Sequence, residues 1–195
     1  MPRPARLPAA ARRRQLLDVA LDVFAAEGFH RTSMDEIAEA AGVTKPVLYQ
    51  HFRSKRELYL EILDDVGGQL LDAITKATAA ASGPRDQVEA GFTAYFRFVR
   101  EQRSAFRLLF GSGARRDRQF SSAVRRVEEA IADAIAALIE ADIDEGHRRL
   151  LANGIVGLAE GTGRHWVGAG LDLDPEEVAS RIADLAWAGL RGVHR

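Results

Sequence analysis

The amino-acid sequence predicts an all-α chain, and three observations carry that prediction. Apolar residues recur at helical spacing in every periodic segment, strand-like alternation is absent throughout, and no proline interrupts a helix interior. About nine helices fit: three N-terminal ones around a small core, then a larger bundle from about residue 57, with the boundary inside the fourth helix.

Leu17, Ala20, Leu21 and Phe24 mark a first helix from about Ala9 to Glu27, which Gly28 ends. Ser33 with Glu36 three positions on forms a capping box, so a second helix starts there and stops at Gly42, where left-handed backbone angles are tolerated. Thr44 is placed to cap a short third helix with its hydroxyl, and Lys45 and Pro46 occupy its first turn, where a missing N–H costs nothing. Leu48 and Phe52, four apart, share its buried face. Ser54 and Glu57 repeat the capping-box pattern at a fourth helix, whose apolar stripe is Leu58, Ile62, Leu63 and Val66. Gly67-Gly68 near its end reads either as a hinge or as a plain break before Gln69.

Pro84 and Pro175 each open a new periodic segment, while Pro2, Pro4 and Pro8 belong to a fraying start. Val88, Phe92, Tyr95, Phe96 and Val99 mark one helix, Phe106, Leu109 and Phe110 a short one, and Phe120, Val124, Val127, Ile131 and Leu138 a longer one. The last two stripes are Leu151, Ile155, Leu158, Ala159, Thr162 and Trp166, then Val178, Ile182, Leu185, Ala186 and Gly189.

The chain of 195 residues can bury a real core, and its 47% apolar and 28% charged residues are ordinary for a soluble globular protein. No apolar run or leader-like segment points to a membrane or to secretion, so a cytoplasmic location is expected. The absence of cysteine removes disulfides, thiolate metal sites and cysteine nucleophiles together. The net charge of −1 hides an asymmetry: residues 1–56 carry 10 Lys and Arg against 6 Asp and Glu, and the remainder 17 against 22. The basic end holds the helix-turn-helix pattern, the polarity expected of a part that meets phosphates.

The run GVTKPVLYQHFRSKRELY, with the preceding FAAEGF and Thr-Ser helix start, resembles the DNA-binding domain of TetR-like (tetracycline-repressor family) transcriptional regulators over roughly residues 9–62. The resemblance implies a reader at residues 1–56, ordered from about 9, and an effector-binding and dimerisation part at 57–195. It also implies a homodimer on an inverted-repeat double-stranded DNA operator, released when a small molecule binds. Thr32 and Ser33 at a helix N-terminus are expected to anchor phosphates. Lys45 is the leading candidate for base readout through guanine, with Thr44, Pro46 and Val47 beside it at the end that enters the major groove. Tyr49, His51 and Lys55 resemble the family's phosphate-contacting residues, and Gln50 either reads adenine or faces solvent. Arg12, Arg13 and Arg14 add nonspecific attraction or form a solvated face.

Phe92, Tyr95, Phe96, Phe110, Phe120, His165 and Trp166 are the candidates to line an effector cavity suited to an apolar or aromatic ligand; the same stripe also reads as plain core. Small residues in the last two helices, Gly154, Gly161 and Ala183, interleaved with Leu158, Trp187 and Leu190, predict either a close-packed dimer interface or an intramolecular helix pair. The scattered histidines have no metal-ligand spacing, no cofactor motif is present, and Gly111-Ser112-Gly113 is a loop without the strand or Gly-Lys-Ser/Thr ending of a phosphate loop. No catalytic constellation is found, so an enzyme is not expected. The reading is a ligand-responsive DNA-binding regulator, a repressor in sign, with a helical protein-interaction module as the alternative.

Overall fold

The computed structural model describes residues 8–111 and 117–193. Pro2, Pro4, Ser112, Gly113 and His194 lie outside the described residues. Among those described there are nine helices: α1 (Ala9–Glu27), α2 (Met34–Ala40), α3 (Lys45–His51), α4 (Lys55–Ala79), α5 (Pro84–Glu101), α6 (Arg103–Phe110), α7 (Arg118–Ala136), α8 (Glu145–Gly168) and α9 (Pro175–Leu190).

The helix ends follow from local chemistry. Gly28 ends α1 at a φ of 81°, and Gly42 turns α2 into α3 at 64°, both in the region where a Cβ is penalised. At α2 the capping box closes in both directions: Ser33 Oγ accepts from the Glu36 N–H, and the Glu36 carboxylate accepts from the Ser33 N–H at 2.7 Å. Two caps differ from expectation. Thr44 stands at the N-cap of α3 but its hydroxyl makes no capping bond. At α4, Ser54 Oγ accepts from Glu57 N–H at 3.1 Å, yet the Glu57 carboxylate takes the N–H of Arg53, so the reciprocal half of the box is displaced by one residue. Two further caps are plain aspartates: Asp117 receives the N–H groups of Gln119 and Phe120, and Asp144 that of His147.

The central element is α4, which packs on α1, α5, α6 and α7, while α5 packs on α9 and α7 on α8. It runs unbroken through Gly67-Gly68, so no break precedes Gln69. Gly67 has a packing reason: a Cβ there would lie 2.2 Å from Val127 Cγ2, whereas one on Gly68 would meet nothing within 4 Å. The small core of the three N-terminal helices is continuous with that of the bundle, one cluster running from Leu16 on α1 to Ala186 on α9. The stripe assigned up to Leu138 overruns its helix, since α7 stops at Ala136 and Leu138 sits in the following turn. Leu185, placed in a buried stripe by its spacing, is 60% exposed.

Candidate nucleic-acid interface and effector cavity

The short helix α3 is held by Leu48 and Phe52, both fully buried, and turns its other side outward. Thr44, Lys45, Pro46, Tyr49 and Gln50 are exposed, with Val47 and His51 half-buried. Residues 45, 46, 49 and 50 fall on one helix face at spacings of three and four, which gives a projecting ridge of a cation, apolar carbons, a phenol and an amide. Lys45 Nζ lies 2.9 Å from Asp35 of α2, and that hydrogen bond raises its pKa.

Three residues expected to touch phosphate are committed elsewhere. Thr32 is 2% exposed and its hydroxyl donates to the Gly28 carbonyl. Both the N–H and the hydroxyl of Ser33 donate to the Glu36 carboxylate. Lys55 Nζ donates to the carbonyls of Phe29 and Thr32 at 2.8 and 2.7 Å and lies 4.5 Å from the Phe29 ring centre, so it pins the α1–α2 connection. The arginines of α1 are likewise engaged. Arg13 lies over the Phe52 ring and pairs with Glu61, Arg14 bridges Asp18 and Asp65, and Arg12 bonds Gln15. Arg53 is exposed.

Phe120, expected in the cavity, instead forms a junction between the reader and the bundle. Its ring lies 4.7 Å from Phe29 and 4.4 Å from Tyr59, and burial pushes the Tyr59 hydroxyl up to about 12. Arg56 of α4 lies over the Phe120 ring and pairs with Asp117, the N-cap of α7, at 2.9 Å. Although partial burial opposes it, the bonds from Arg56 and from the N–H groups of Gln119 and Phe120 hold the Asp117 carboxyl below its ordinary value.

A cavity of about 560 Å³ lies among α4, α5, α7, α8 and α9, within the roughly 300–1,000 Å³ range of small-molecule sites. Phe92, Tyr95 and Phe110 line it. Phe96, Phe120, His165 and Trp166 do not. Phe96 is fully buried, edge-on to Trp166, whose indole N–H donates to the Leu171 carbonyl and secures the α8–α9 connection. His165 faces solvent. The rest of the wall is largely aliphatic, with Ile74, Val88, Ile131, Ile135, Ile155 and Val156 prominent. These residues are indistinguishable in sequence from core. The only available signal was small residues inside apolar stripes, Gly91 on α5 and Ala159 on α8, which leave room between helices. The Tyr95 hydroxyl is buried with no hydrogen-bond partner among the described residues, and Glu128 and Glu160 add carboxylates to the lining.

The expected dimer residues separate into two groups. Ala183 is 5% exposed and belongs to the chain's own core, while Trp187 and Leu190 line the cavity. Gly154 is exposed, Leu158 and Gly161 half-buried. Among the described residues a Cβ on Gly154, Gly157 or Gly161 would meet nothing within 4 Å, so these glycines make room for none of them. Leu150 at 70% and Leu185 at 60% add exposed apolar area on α8 and α9. Among the described residues no helix is long and apolar enough to cross a membrane, and no His, Asp or Glu cluster could hold a metal ion.

Residues 16–62 match the sequence family described as bacterial regulatory proteins, tetR family, and residues 84–189 match the tetracyclin repressor-like C-terminal domain. The chain is 37% identical over 190 residues to the HTH-type transcriptional activator FasR of Mycolicibacterium smegmatis, covering 96% of this chain and 87% of FasR. It superposes on a TetR-like transcriptional regulator from Rhodococcus sp. RHA1 with a TM-score of 0.79 at 31% identity, covering 96% of this chain and all of that one. The fold is shared with FadR of Bacillus subtilis, solved in complex with stearoyl-CoA, at a TM-score of 0.80 and 16% identity over 90% of this chain and 98% of that one.

Proposed function

This chain belongs to the TetR family of DNA-binding transcriptional regulators, and on that footing we propose that it is an effector-released regulator working as a homodimer on an inverted repeat. The reader comprises residues 1–56, and residues 57–195 bind effector and dimerise. The α3 ridge enters the major groove. Lys45 leaves Asp35 to donate to guanine, Pro46 and Val47 offer carbon to thymine methyls, and Tyr49 and His51 reach phosphates. Dimerisation uses the open glycine face of α8 with Leu150 and Leu185, which sets two ridges about one turn of DNA, or a multiple, apart.

The observation that carries the effector reading is that two helices run from the cavity to the reader. Ile74 and Thr78 of α4 and Ile131 and Ile135 of α7 line the cavity, while the opposite ends of the same helices meet at Arg56, Asp117 and Phe120 beneath Phe29. A ligand that fits the cavity better in one arrangement of α4 and α7 shifts the population towards it and changes the spacing of the readers. The effector is a small, mostly apolar molecule, and long-chain aliphatic compounds are the first class to test because FadR, which shares the fold, was solved with stearoyl-CoA. Release on binding makes the protein a repressor wherever its operator overlaps a promoter.

The test is a titration of operator affinity against ligands shown to occupy the cavity. Operator affinity should fall as the cavity fills; a tightly bound cavity ligand that leaves it unchanged refutes the effector reading.

A further inference from the structure

The cavity has a direction. At one end Pro84, Glu140 and Arg191 are exposed, and at the other Phe92, Tyr95, Phe110 and Ala159 are buried. Tyr95 lies roughly 16 Å along α5 from Pro84, at the 1.5 Å rise of an α-helix. It is 5% exposed and its hydroxyl has no hydrogen-bond partner among the described residues. The ring seats against α8 at Gly163, where a Cβ would lie 3.3 Å from the hydroxyl, one helical turn beyond Ala159 of the cavity wall. Glu128 and Glu160 line the same inner end, Glu160 in an ion pair with Arg164. An aliphatic passage therefore ends in a buried phenol and two carboxylates.

We propose that Tyr95 reads the polar group of the effector, and that the cavity takes an apolar molecule ending in a neutral hydroxyl, inserted with that end towards Tyr95. The inference rests on this cavity being the effector site. Burial, with Glu160 and Glu128 adding to it, pushes the Tyr95 hydroxyl up, so it stays protonated and donates. The ligand oxygen accepts that proton. The ligand's own proton is accepted by a carboxylate, which keeps lone pairs for it even when ion-paired. A hydrocarbon end leaves the phenol unsatisfied, and an anionic end brings no proton for a carboxylate to accept.

The experiment compares dodecanol, dodecane and dodecanoate as ligands of the full chain and of Tyr95→Phe, by displacement of a fluorescent apolar probe. The wild type should bind dodecanol about five- to tenfold more tightly than dodecane, the worth of one net hydrogen bond. Tyr95→Phe should lose that preference while binding dodecane as before, which also reports that the variant is folded. Retention of the preference in Tyr95→Phe, or a wild-type preference for dodecanoate, overturns the inference while leaving the cavity as the effector site. Failure of the wild type to bind any of the three overturns the cavity reading and this inference with it.

Discussion

Gly67 and Gly68 are neighbours in the same helix, and alanine should act oppositely at each. Glycine in a helix interior costs about 1 kcal/mol relative to alanine, so Gly68→Ala, whose new methyl meets nothing within 4 Å, should stabilise by about that much. At Gly67 the same gain is set against Val127, whose Cγ2, Cγ1 and Cβ would lie 2.2, 2.9 and 3.1 Å from the new carbon. A β-branched side chain in a helix has little rotamer freedom, so Val127 cannot swing clear and α4 must move from α7. Overpacking of this kind costs about 1–3 kcal/mol. With the clash near the upper end of that range and the propensity gain subtracted, Gly67→Ala should be about 2 kcal/mol less stable than wild type. The two variants should then differ by about 3 kcal/mol. Urea denaturation of both, with midpoints compared at equal slope, reads the difference. Val127→Ala should largely cancel the penalty when combined with Gly67→Ala, because it removes both γ-carbons. Equal stability of Gly67→Ala and Gly68→Ala would refute the close α4–α7 approach.

Lys55→Ala should destabilise by about 1 kcal/mol or more, because it strips the part-buried carbonyls of Phe29 and Thr32 of their donor, and should leave the salt dependence of DNA binding unchanged. A slope reduced by about one unit without loss of stability would return Lys55 to a phosphate role. Lys45→Ala should change which sequences are preferred; uniform weakening across all sequences would show that Lys45 reads no base. The Asp117 carboxyl is held below its ordinary value, so its contribution is present above that value, 3.8, and is lost as pH falls through the lower folded value. The stability gap between wild type and Asp117→Asn should therefore be widest at neutral pH and narrow in acid, and a gap independent of pH would count against the Arg56–Asp117 pairing. Gly157→Leu finds open space in the single chain, so it should leave the fold intact while weakening the dimer in sedimentation equilibrium. An unchanged dimer would move the interface elsewhere.

Legibility in the sequence followed the range of the interaction. Ser33 and Glu36, Gly28, Gly42 and Pro84 act on their own few residues, and each placed its helix end as read. The α3 ridge was legible for the same reason, since the burial of Leu48 and Phe52 fixes which side faces out. What the sequence concealed depends on which neighbour a side chain meets. Phe96, Phe110 and Phe120 carry identical local signals, yet one is core, one lines the cavity and one joins reader to bundle. Lys55 looks like a free cation until the two carbonyls brought beside it from 26 and 23 residues away are seen. Ala183 and Gly154 are both small residues on terminal helices, and only packing shows the first turned inward and the second open.

The most direct test is selection of bound sequences from a random pool of double-stranded DNA, followed by measurement of affinity for the enriched site. An inverted repeat bound by two chains, with half-sites one helical turn or a multiple apart, is the predicted result. Failure to enrich any sequence at low salt would contradict the reader face on α3 and favour a helical protein-interaction role.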